Sequence, residues 1–338
     1  MANRLHTNSK DLDWIRGQTV AVLGYGNQGR AQALNLRDRG IKVLIGARPN
    51  GKSWSHAVAD GFAPISIAEA SAQSGVVMMT LPDVTMAGIF DAEIGPHLQE
   101  GSLLLVCHGF SVHFGFLQPP NHVDVGLVGP KGPGAGLRRK FQEGRSLPSL
   151  VAVHQDVSGE AWGRTISYAW GIGCADVLML ETTFREECET DLFGEQAVLC
   201  GGLPQLIQAG FETLVASGYD PDLAYFECLH EVQLITDLLV QRGMAGMREA
   251  ISDTARWGGL EAGPEIIGEP ARQAMQRTLA RIRSGEFARN WVAEDAAGRP
   301  RLSRWQAEEA GTLLESVGSE LRKSLGSRNP GAETGTTS

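Results

Sequence analysis

The sequence predicts an α/β protein in which a doubly wound β-sheet domain is followed by an all-helical domain. In the first half of the chain, short apolar runs alternate with segments whose apolar residues recur at helical spacing, a pattern typical of doubly wound sheets. After Thr182 strand-like runs become scarce and long helical patterns follow. A length of 338 residues also favours about two domains of roughly 150 residues each. We place the sheet domain at 1–181, the helical domain at 182–327 and a Gly/Ser/Thr-rich tail, expected to be disordered, at 328–338.

Seven short apolar runs predict the strands of the sheet. Uninterrupted runs of this kind suit strands that are covered on both faces, as in a parallel sheet. The runs are Thr19–Leu23, Val43–Ile45, Val76–Leu81, Leu103–Cys107, Val125–Val128, Leu150–Val153 and Val177–Leu180. Helical spacing between the runs predicts the covering helices, which are Gln28–Arg39, Ile67–Ser74 and Ser158–Trp170.

The second domain is predicted from five stretches in which apolar residues recur every three or four positions. These stretches are Glu187–Cys200, Leu203–Ser217, Asp222–Arg242, Ala245–Arg256 and Glu269–Ser284. No comparable strand pattern separates them, so we expect this domain to contain helices alone.

Composition and charge exclude several classes of protein. The 30 Lys and Arg residues are outnumbered by 39 Asp and Glu, which gives a formal net charge of −9 and a pI near 5.4. An acidic chain without a basic stripe argues against nucleic acid or an anionic membrane surface as a partner. Five cysteines without a CxxC pair favour a reduced compartment. Because no apolar run approaches roughly 18 residues and the N-terminus lacks a signal-peptide pattern, we expect a soluble cytoplasmic protein.

A glycine-rich motif follows the first strand and opens the first helix. It reads Gly24-Tyr25-Gly26-Asn27-Gln28-Gly29. Glycines permit a tight turn and close approach of the backbone, and the helix N-terminus offers free N–H groups to a pyrophosphate. The motif, its flanking elements and a second strand at the right distance predict a Rossmann-like dinucleotide site. The alternative is an ordinary glycine-rich turn.

The end of the second strand indicates which dinucleotide is bound. An NAD site usually carries Asp or Glu there to hold the ribose 2′-hydroxyl. The stretch Gly46–Ser53 contains no acid, and Arg48, Lys52 and Ser53 could instead bind a 2′-phosphate. The sequence therefore favours NADP over NAD, with a solvated basic turn as the alternative. Asp83 follows another strand at the same expected edge of the sheet.

Two pairs of carboxylates are spaced four residues apart in the predicted helices, so each pair shares one helix face. The pairs are Asp191 with Glu195 and Glu227 with Glu231. Both faces also carry apolar residues: Val198 and Leu199 beside the first pair, and Leu223, Ala224, Leu234, Ile235 and Leu238 beside the second.

Acids on apolar stripes require a cation, because adjacent carboxylates repel one another and seldom lie buried unless paired. No matching set of Lys or Arg lies on these helices. An all-oxygen ligand set without a Cys/His cluster favours Mg²⁺ over Zn²⁺, and four carboxylates could hold two ions with one carboxylate bridging. The alternative is a solvated or structurally paired set of acids.

Three further polar residues are candidates for the site. His108 and Lys131 directly follow predicted strands, where open α/β sheets bind their ligands. Ser252 opens the sequence Ser-Asp-Thr, which could equally serve as a helix cap.

The motifs GYGNQG, HGF, GPKGPG, ETDLFGEQAVLCGG, AYFECLHE and ISDTA occur in this order. From about Leu12 to Leu325 the chain strongly resembles the short, class I form of ketol-acid reductoisomerase. The resemblance implies a knotted helical second domain, a rare exception to unknotted topology. It also implies conversion of 2-acetolactate or 2-aceto-2-hydroxybutyrate to 2,3-dihydroxy-3-methyl acids in valine, isoleucine and leucine biosynthesis, with NADPH and two Mg²⁺ ions as cofactors.

The resemblance also assigns roles to individual residues. The Mg²⁺ ligands are Asp191, Glu195, Glu227 and Glu231, with Asp191 bridging. The catalytic residues are His108, Lys131 and Glu231, of which Glu231 assists proton movement, and Ser252 binds the substrate. The cofactor contacts are Gly24, Tyr25, Gly26, Asn27, Gln28, Arg48, Ser53, Asp83, Val84, Thr85, Met86 and Gly134. Because short forms combine the first acidic pair of one subunit with the second pair of another, a homodimer or higher homo-oligomer with shared active sites is implied.

The chain departs from the family pattern at several positions. Asn27 replaces a common serine, and Arg30 and Gln32 replace common histidines. Gly51 stands where a serine usually faces the 2′-phosphate, and Ala135-Gly136 replaces a His-Thr or similar pair. None of these positions is a metal ligand, so we expect activity to persist, whereas cofactor selectivity could be relaxed.

Two other functions compete with the isomeroreductase hypothesis. A plain NADP-dependent oxidoreductase of the β-hydroxyacid type has a similar two-domain plan but no use for four carboxylates on apolar stripes. A non-catalytic dinucleotide sensor would tolerate their loss, yet all four are present.

Overall fold

The computed structural model of the protein describes residues 3–5, 13–175 and 177–326. It divides into two compact units, the first ending at Asp191 and the second beginning at Leu192. The predicted boundary after Glu181 lies earlier in the chain. The apolar pattern marks where strands end but cannot tell which unit the next helix joins. The predicted tail at 328–338 lies outside the described residues.

The first unit contains one eight-stranded sheet with the order β1-β8-β7-β6-β5-β4-β2-β3. Its strands are β1 Arg4–Leu5, β2 Thr19–Leu23, β3 Lys42–Gly46, β4 Val76–Met79, β5 Leu103–Val106, β6 Asp124–Pro130, β7 Ser149–Gln155 and β8 Met179–Glu181. All seven predicted strands are present with ends shifted by at most two residues, and β1 was not predicted. The predicted fold class is confirmed.

Strand direction departs from the expected parallel arrangement at two places. Strands β3, β2, β4, β5 and β6 are parallel, but β7 runs antiparallel to β6 and β1 runs antiparallel to β8. After β6 the chain returns to the edge it has just left, so that Ser149 pairs with Pro130. A buried apolar run has the same composition in either direction, so the sequence pattern could not reveal this reversal.

Helices cover both faces of the sheet. They are α1 Asn27–Asp38, α2 Lys52–Ala59, α3 Ile67–Ala72, α4 Asp83–Ile89, α5 Phe110–His113, α6 Gly134–Gln142, α7 Ala161–Gly171 and α8 Phe184–Gly194. Successive residues of β2 enter opposite cores, because Val20 and Val22 pack in one apolar cluster and Ala21 and Leu23 in the other. This alternation follows from the two-residue repeat of a strand, and it explains why the strands are apolar throughout.

Residues 192–326 contain helices and no strand, as predicted. The helices are α9 Gly202–Ala216, α10 Pro221–Tyr225, α11 Val232–Glu249, α12 Asp253–Ile266, α13 Glu269–Arg283, α14 Glu286–Ala296, α15 Pro300–Ala310 and α16 Leu313–Gly326. The prediction of one helix over Ala245–Arg256 is wrong, because α11 ends at Glu249 and Ser252 begins a new helix. Within the described residues, no helix is both long and apolar enough to cross a membrane.

The start of β6 is held by a buried aspartate. Asp124, fully buried, accepts hydrogen bonds from the Val157 and Ser158 backbone N–H groups at 2.9 and 3.0 Å. It also accepts one from the Ser158 hydroxyl at 2.6 Å and pairs with Arg164 at 3.1 Å. Since β6 ends immediately before Lys131, this network fixes the strand that carries that lysine.

Replacing Asp124 by alanine should lower the free energy of unfolding by about 3–5 kcal/mol, because Arg164 and three hydrogen-bond donors lose a buried partner. Glu160→Ala is the matched control. Glu160 also pairs with Arg164, at 2.9 Å, but its side chain is 68% exposed, so its loss should cost less than about 1 kcal/mol. Urea unfolding of both variants measures the difference, and equal losses would contradict the assignment of a buried charge network.

Candidate active site

The candidate site lies at one edge of the sheet, where parallel strands β4, β5 and β6 end. Met79, Val106 and Leu127 are aligned across these strands, so the residues that follow them lie side by side. His108 comes two residues after β5, and Lys131 comes directly after β6. His108 and Lys131 therefore lie at the carboxyl edge of the sheet, as predicted.

The centre of this cluster is Glu187 on α8, whose side chain is 1% exposed. Its carboxylate accepts a hydrogen bond from the Gly109 N–H at 2.9 Å and lies 3.1 Å from His108 Nδ1. Lys131 Nζ lies 3.7 Å from its second oxygen. A buried carboxylate is unstable unless it is paired and hydrogen-bonded, and each of these contacts supplies part of that requirement.

Sequence reasoning missed Glu187, although the signal was present. Glu187, Asp191 and Glu195 are spaced four apart, so Glu187 extends the predicted acidic pair by one turn towards the N-terminus. It stands in the acid-rich sequence REECETD, where nothing local distinguishes one glutamate from its neighbours. Only the packing of α8 against the strand ends separates it from them.

Asp191 lies on the same helix and meets both basic residues. Lys131 Nζ is 2.8 Å from one carboxylate oxygen, and His108 Nδ1 is 3.6 Å from the other. The cation beside Asp191 is Lys131, which does not lie on the acidic helices but follows β6. One potential ligand atom each from His108, Glu187 and Asp191 lies within 4.8 Å of the other two, a spacing that could hold a metal ion.

The surroundings shift the pKa of two groups in the cluster. Burial alone would lower the pKa of His108, but hydrogen bonds with Cys188 and Glu187 and the charge of Glu187 raise it well above its ordinary value. Burial raises the pKa of Asp83, and the charges of Glu187 and Asp191 raise it further, against the opposing effect of His108. The imidazole is thus held as a cation beside the carboxylates.

The glycine-rich loop lies at the same edge, between β2 and α1. Gly24 has a φ of +91°, a conformation that favours glycine, and a Cβ on Gly29 would collide with the Gly24 carbonyl and the Thr80 hydroxyl. Helix α1 begins at Asn27 after Gly26, without a side-chain hydrogen bond capping its first turn. Its N–H groups are therefore arranged as a pyrophosphate site requires.

Tyr25 in this loop has a structural role for its side chain. The ring is 1% exposed, and its hydroxyl donates to Asp60 Oδ2 at 2.9 Å. Arg30 pairs with the same carboxylate at 2.6 Å, and this hydrogen bond lowers the pKa of Asp60. Burial raises the pKa of Tyr25, so the hydroxyl stays protonated. The predicted cofactor contact of Tyr25 would have to come from its backbone.

The loop after β6 packs against the glycine-rich loop. Gln28 Nε2 donates to the Gly132 carbonyl at 3.0 Å. A Cβ on Gly134 would collide with the Asn27 carbonyl, whereas one on Gly136 would meet only Pro133 at 3.8 Å. Gly134 is therefore required by the close approach of two backbones, in addition to its predicted role as a cofactor contact.

The other predicted cofactor residues surround the same edge. Arg48 and Lys52 are exposed, Ser53 is half-buried, and α2 begins at Lys52 without a side-chain cap. Among the described residues, no ion pair engages Arg48 or Lys52. In the first turn of α4, the predicted contacts are Asp83, Val84, Thr85 and Met86. Met86 is 4% exposed and belongs to the core, so its side chain faces inwards.

Both predicted acidic pairs involve π-helical turns. Such turns are rare in proteins, but those that occur often lie at functional sites. The segment Glu195–Leu199 directly continues α8, and the Cys200 N–H donates to the Glu195 carbonyl five residues earlier at 2.8 Å. The segment Phe226–His230 contains Glu227, and the Glu231 N–H donates to the Phe226 carbonyl at 3.2 Å. Sequence spacing alone did not predict these wider turns.

Glu227 and Glu231 are exposed and line a groove of about 410 Å³. Its other walls are mainly apolar, formed by Leu203, Val232, Ile235, Thr236 and Leu239. Glu195 is likewise exposed. The predicted mixture of acids and apolar residues on one surface is therefore present, but in the single chain that surface faces solvent.

Ser252 caps α12, since its hydroxyl accepts a hydrogen bond from the Ala255 N–H at 3.2 Å. This is the structural alternative considered for it, and its role in substrate binding stays a prediction. A capping serine remains exposed, so the two roles do not exclude each other.

A solved structure of known function is similar to this chain over most of its length. An NADH-preferring ketol-acid reductoisomerase from an uncultured archaeon is 42% identical, with a TM-score of 0.91 over 95% of this chain and 98% of that one. The chain belongs to the ketol-acid reductoisomerase family. Residues 14–177 match the family model for the acetohydroxy acid isomeroreductase NADPH-binding domain, and residues 184–326 match that for the ketol-acid reductoisomerase C-terminal domain.

More distant structures share the fold alone. A semialdehyde dehydrogenase NAD-binding protein from Cupriavidus necator is 18% identical, with a TM-score of 0.61 over 79% of this chain and 99% of that one. A pyrroline-5-carboxylate reductase from Coxiella burnetii is 13% identical, with a TM-score of 0.54 over 79% and 98%. Fold likeness at this identity says nothing about the reaction.

Membership of the ketol-acid reductoisomerase family establishes the general activity. The chain is an oxidoreductase of branched-chain amino-acid biosynthesis that uses a nicotinamide cofactor. This outcome favours the isomeroreductase hypothesis over the plain reductase and the non-catalytic sensor. The residue roles within the ketol-acid reductoisomerase site stay predictions.

Replacing Glu187 by glutamine should lower the pKa of His108, because the neutral amide removes the negative charge that stabilises the imidazolium. The measurement is an NMR titration of the histidine ring protons in the presence of EDTA. Glu189→Gln is the control on the same helix, since Glu189 lies 3.6 Å from His113 instead. An unchanged His108 titration in Glu187→Gln would show that the carboxylate does not control this imidazole.

Proposed function

We propose that the protein catalyses the Mg²⁺-dependent conversion of 2-acetolactate or 2-aceto-2-hydroxybutyrate to the corresponding 2,3-dihydroxy-3-methyl acid, with NADPH as reductant. The observation that carries the proposal is the cluster of Glu187, Asp191, His108 and Lys131 at the edge of the sheet, beside the glycine-rich loop. Carboxylates for metal binding and a dinucleotide loop are the two parts that this coupled reaction requires.

The donor atoms present fit magnesium. Mg²⁺ prefers oxygen ligands, and the proposed set consists of the carboxylates of Asp191, Glu195, Glu227 and Glu231. Asp191, which contacts Lys131 and His108 beside Glu187, is the proposed bridging ligand. Exposed Glu195, Glu227 and Glu231 are accessible to an ion and to a second copy of the chain. When bound, two Mg²⁺ ions would act as Lewis acids on the hydroxyl and carbonyl oxygens of the substrate.

The protein's own residues divide the remaining work. Lys131 and His108 place positive charge beside the carboxylates of Asp191 and Glu187. Glu231 is the proposed proton acceptor for the substrate hydroxyl. Ser252, exposed at the start of α12, is the proposed contact to the substrate.

The proposed preference for NADPH rests on the end of β3. Arg48 and Lys52 present cationic side chains there, and the uncapped first turn of α2 offers further N–H donors to a 2′-phosphate, beside the Ser53 hydroxyl. No acid occupies Gly46–Ser53 to hold a ribose 2′-hydroxyl. NADPH would supply the hydride that reduces the rearranged ketone. The similar archaeal enzyme prefers NADH, so both cofactors belong in every assay.

We also propose a homodimer or higher homo-oligomer with shared active sites. Helices α11 and α12 expose large apolar side chains, with Val240 87% and Trp257 73% exposed. Other members of this surface are Leu234, Met244, Leu260 and Ile266. Large apolar side chains exposed in this number favour an interface, and a second copy of the chain would complete the ligand set proposed above.

Acetolactate should drive oxidation of NADPH only when Mg²⁺ is present, because the ions held by the proposed carboxylates would polarise the substrate's oxygens. The assay follows absorbance at 340 nm with NADPH and NADH side by side, before and after EDTA. Turnover that survives chelation would overturn the metal-dependent function. If acetolactate drives the oxidation of neither NADPH nor NADH, the proposed substrate is wrong.

The variant Glu231→Gln tests the proposed set of Mg²⁺ ligands in the same assay. It should reduce turnover at least 100-fold while leaving the Kd for NADPH within twofold of the parent, since the cofactor residues lie in the first unit. Asp237→Asn is the control, an exposed acid further along α11 that lies outside the motif. Equal turnover in the two variants would contradict the assignment of Glu231.

Replacing Arg48 by alanine should raise the KM for NADPH about tenfold while changing the KM for NADH less than twofold, because only NADPH carries the 2′-phosphate. Steady-state kinetics with both cofactors measure the ratio. Lys42→Ala is the control, an exposed cation at the opposite end of β3. Equal increases for the two cofactors would argue against a contact between Arg48 and the 2′-phosphate.

A further inference from the structure

We propose that Gln32 is a positioning residue that sets the glycine-rich loop and the loops carrying His108 and Lys131 in one fixed arrangement. The inference rests on the proposed function for its kinetic consequence, but its structural basis is independent of the substrate. Gln32 lies in α1, and the Gln32 side chain is fully buried. A buried carboxamide is stable only when both its donors and its acceptor are satisfied.

All three polar requirements of Gln32 are met, by one partner on its own helix and by two partners from other elements. Its Nε2 donates to Gln28 Oε1 at 3.3 Å and to Cys107 Sγ at 3.1 Å. Its Oε1 accepts a hydrogen bond from the Tyr168 hydroxyl at 2.7 Å. Gln28 belongs to the glycine-rich motif and lies on α1 itself, one turn before Gln32, whereas Cys107 immediately precedes His108 and Tyr168 lies on α7.

The hydrogen bonds can run in one direction only. The Gly132 carbonyl can only accept, so the Gln28 amide nitrogen must face it, as observed at 3.0 Å. The Gln28 oxygen therefore faces Gln32, which must present its own nitrogen, and the Gln32 oxygen is left for Tyr168. Both side-chain amides are thus oriented by one backbone carbonyl in the loop that carries Lys131.

No member of the network titrates in the physiological range. Burial raises the pKa of Cys107 to about 12 and the pKa of Tyr168 well above its ordinary value. The Cys107 thiol lies 3.6 Å from the Met78 sulfur, to which it donates. A neutral network of this kind holds geometry rather than moving protons, which is why Gln32 is a positioning residue.

Loss of the Gln32 amide would disturb three loops at once. Gln28 would lose the donor that holds its side-chain oxygen. Its amide nitrogen would then no longer be directed towards the Gly132 carbonyl. Lys131 is adjacent to Gly132, and His108 is adjacent to Cys107. Because a small misplacement of reacting groups slows a reaction strongly, we expect weaker cofactor binding and slower turnover together.

Asn35 provides a matched control on the same helix. It is also a fully buried amide, donating to the Ile172 carbonyl at 2.8 Å and accepting from Arg138 Nη1 at 2.9 Å. Neither partner adjoins the glycine-rich loop, His108 or Lys131. Replacing Asn35 by leucine therefore removes a buried amide of similar structural importance without touching the proposed network.

The experiment compares Gln32→Leu with Asn35→Leu in the full-length protein. Three quantities are measured: the Kd for NADPH by fluorescence titration, hydrogen exchange of the amides of 107–109 and 131–134 without cofactor, and kcat. We expect Gln32→Leu to raise the Kd about tenfold, lower kcat at least tenfold and speed exchange in both segments. Asn35→Leu should stay within twofold of the parent in all three. Equal effects of the two variants on exchange and Kd would overturn the proposal.

Tyr168→Phe tests the same network if Gln32→Leu does not fold, since it removes only one hydroxyl. It should raise the Kd for NADPH about threefold and speed exchange at 131–134, and parental values in both would overturn the proposal. Exchange and cofactor binding need no substrate. If the unmodified protein does not turn over acetolactate, the proposed function is wrong. Hydrogen exchange and the Kd for NADPH would still decide the role of Gln32.

Discussion

The candidate site is organised around one buried charge, the carboxylate of Glu187. In the interior an ionised carboxylate is tolerated only if its oxygens are paired and hydrogen-bonded, and the penalty for leaving it unpaired is several kcal/mol. The chain meets this requirement with the Gly109 N–H, His108 and Lys131, which come from two different strand ends. The same contacts bring a cationic imidazole and an ammonium beside Asp191. One buried acid thereby contacts both of the cationic side chains that lie beside Asp191.

A second constraint is the close approach of two backbones. The loop carrying Gly134 touches the glycine-rich loop at Asn27, where a side chain on Gly134 would not fit. The bond from Gln28 to the Gly132 carbonyl crosses the same contact. The glycine-rich loop and the loop that carries Lys131 therefore pack directly against each other.

Much of this could be predicted from local pattern, and the failures have physical causes. The strands and the residues after them were predictable. A sheet that is covered on both faces needs strands that are apolar throughout, and its parallel strands end at the same edge. The reversal of β7 was not predictable, since an apolar run carries no direction. Glu187 was missed because burial of an acid depends on what packs against it. The π-helical turns at Glu195 and Glu227 escaped prediction because they leave the residue spacing unchanged and alter only the hydrogen bonds.

The exposure of the remaining acids refines the argument for a metal. From the sequence, carboxylates on apolar stripes implied a buried cation, yet Glu227 and Glu231 face solvent at the rim of an apolar groove. Water screens carboxylates that stay exposed, so a single chain has little need of an ion there. Covering the apolar surface of α11 and α12 by a second copy would remove that water, and the repulsion between the acids would then demand a cation. On the proposed function, assembly and Mg²⁺ binding are therefore linked: each would make the other more favourable, because Glu231 directly precedes α11, one of the helices that the proposed assembly would cover.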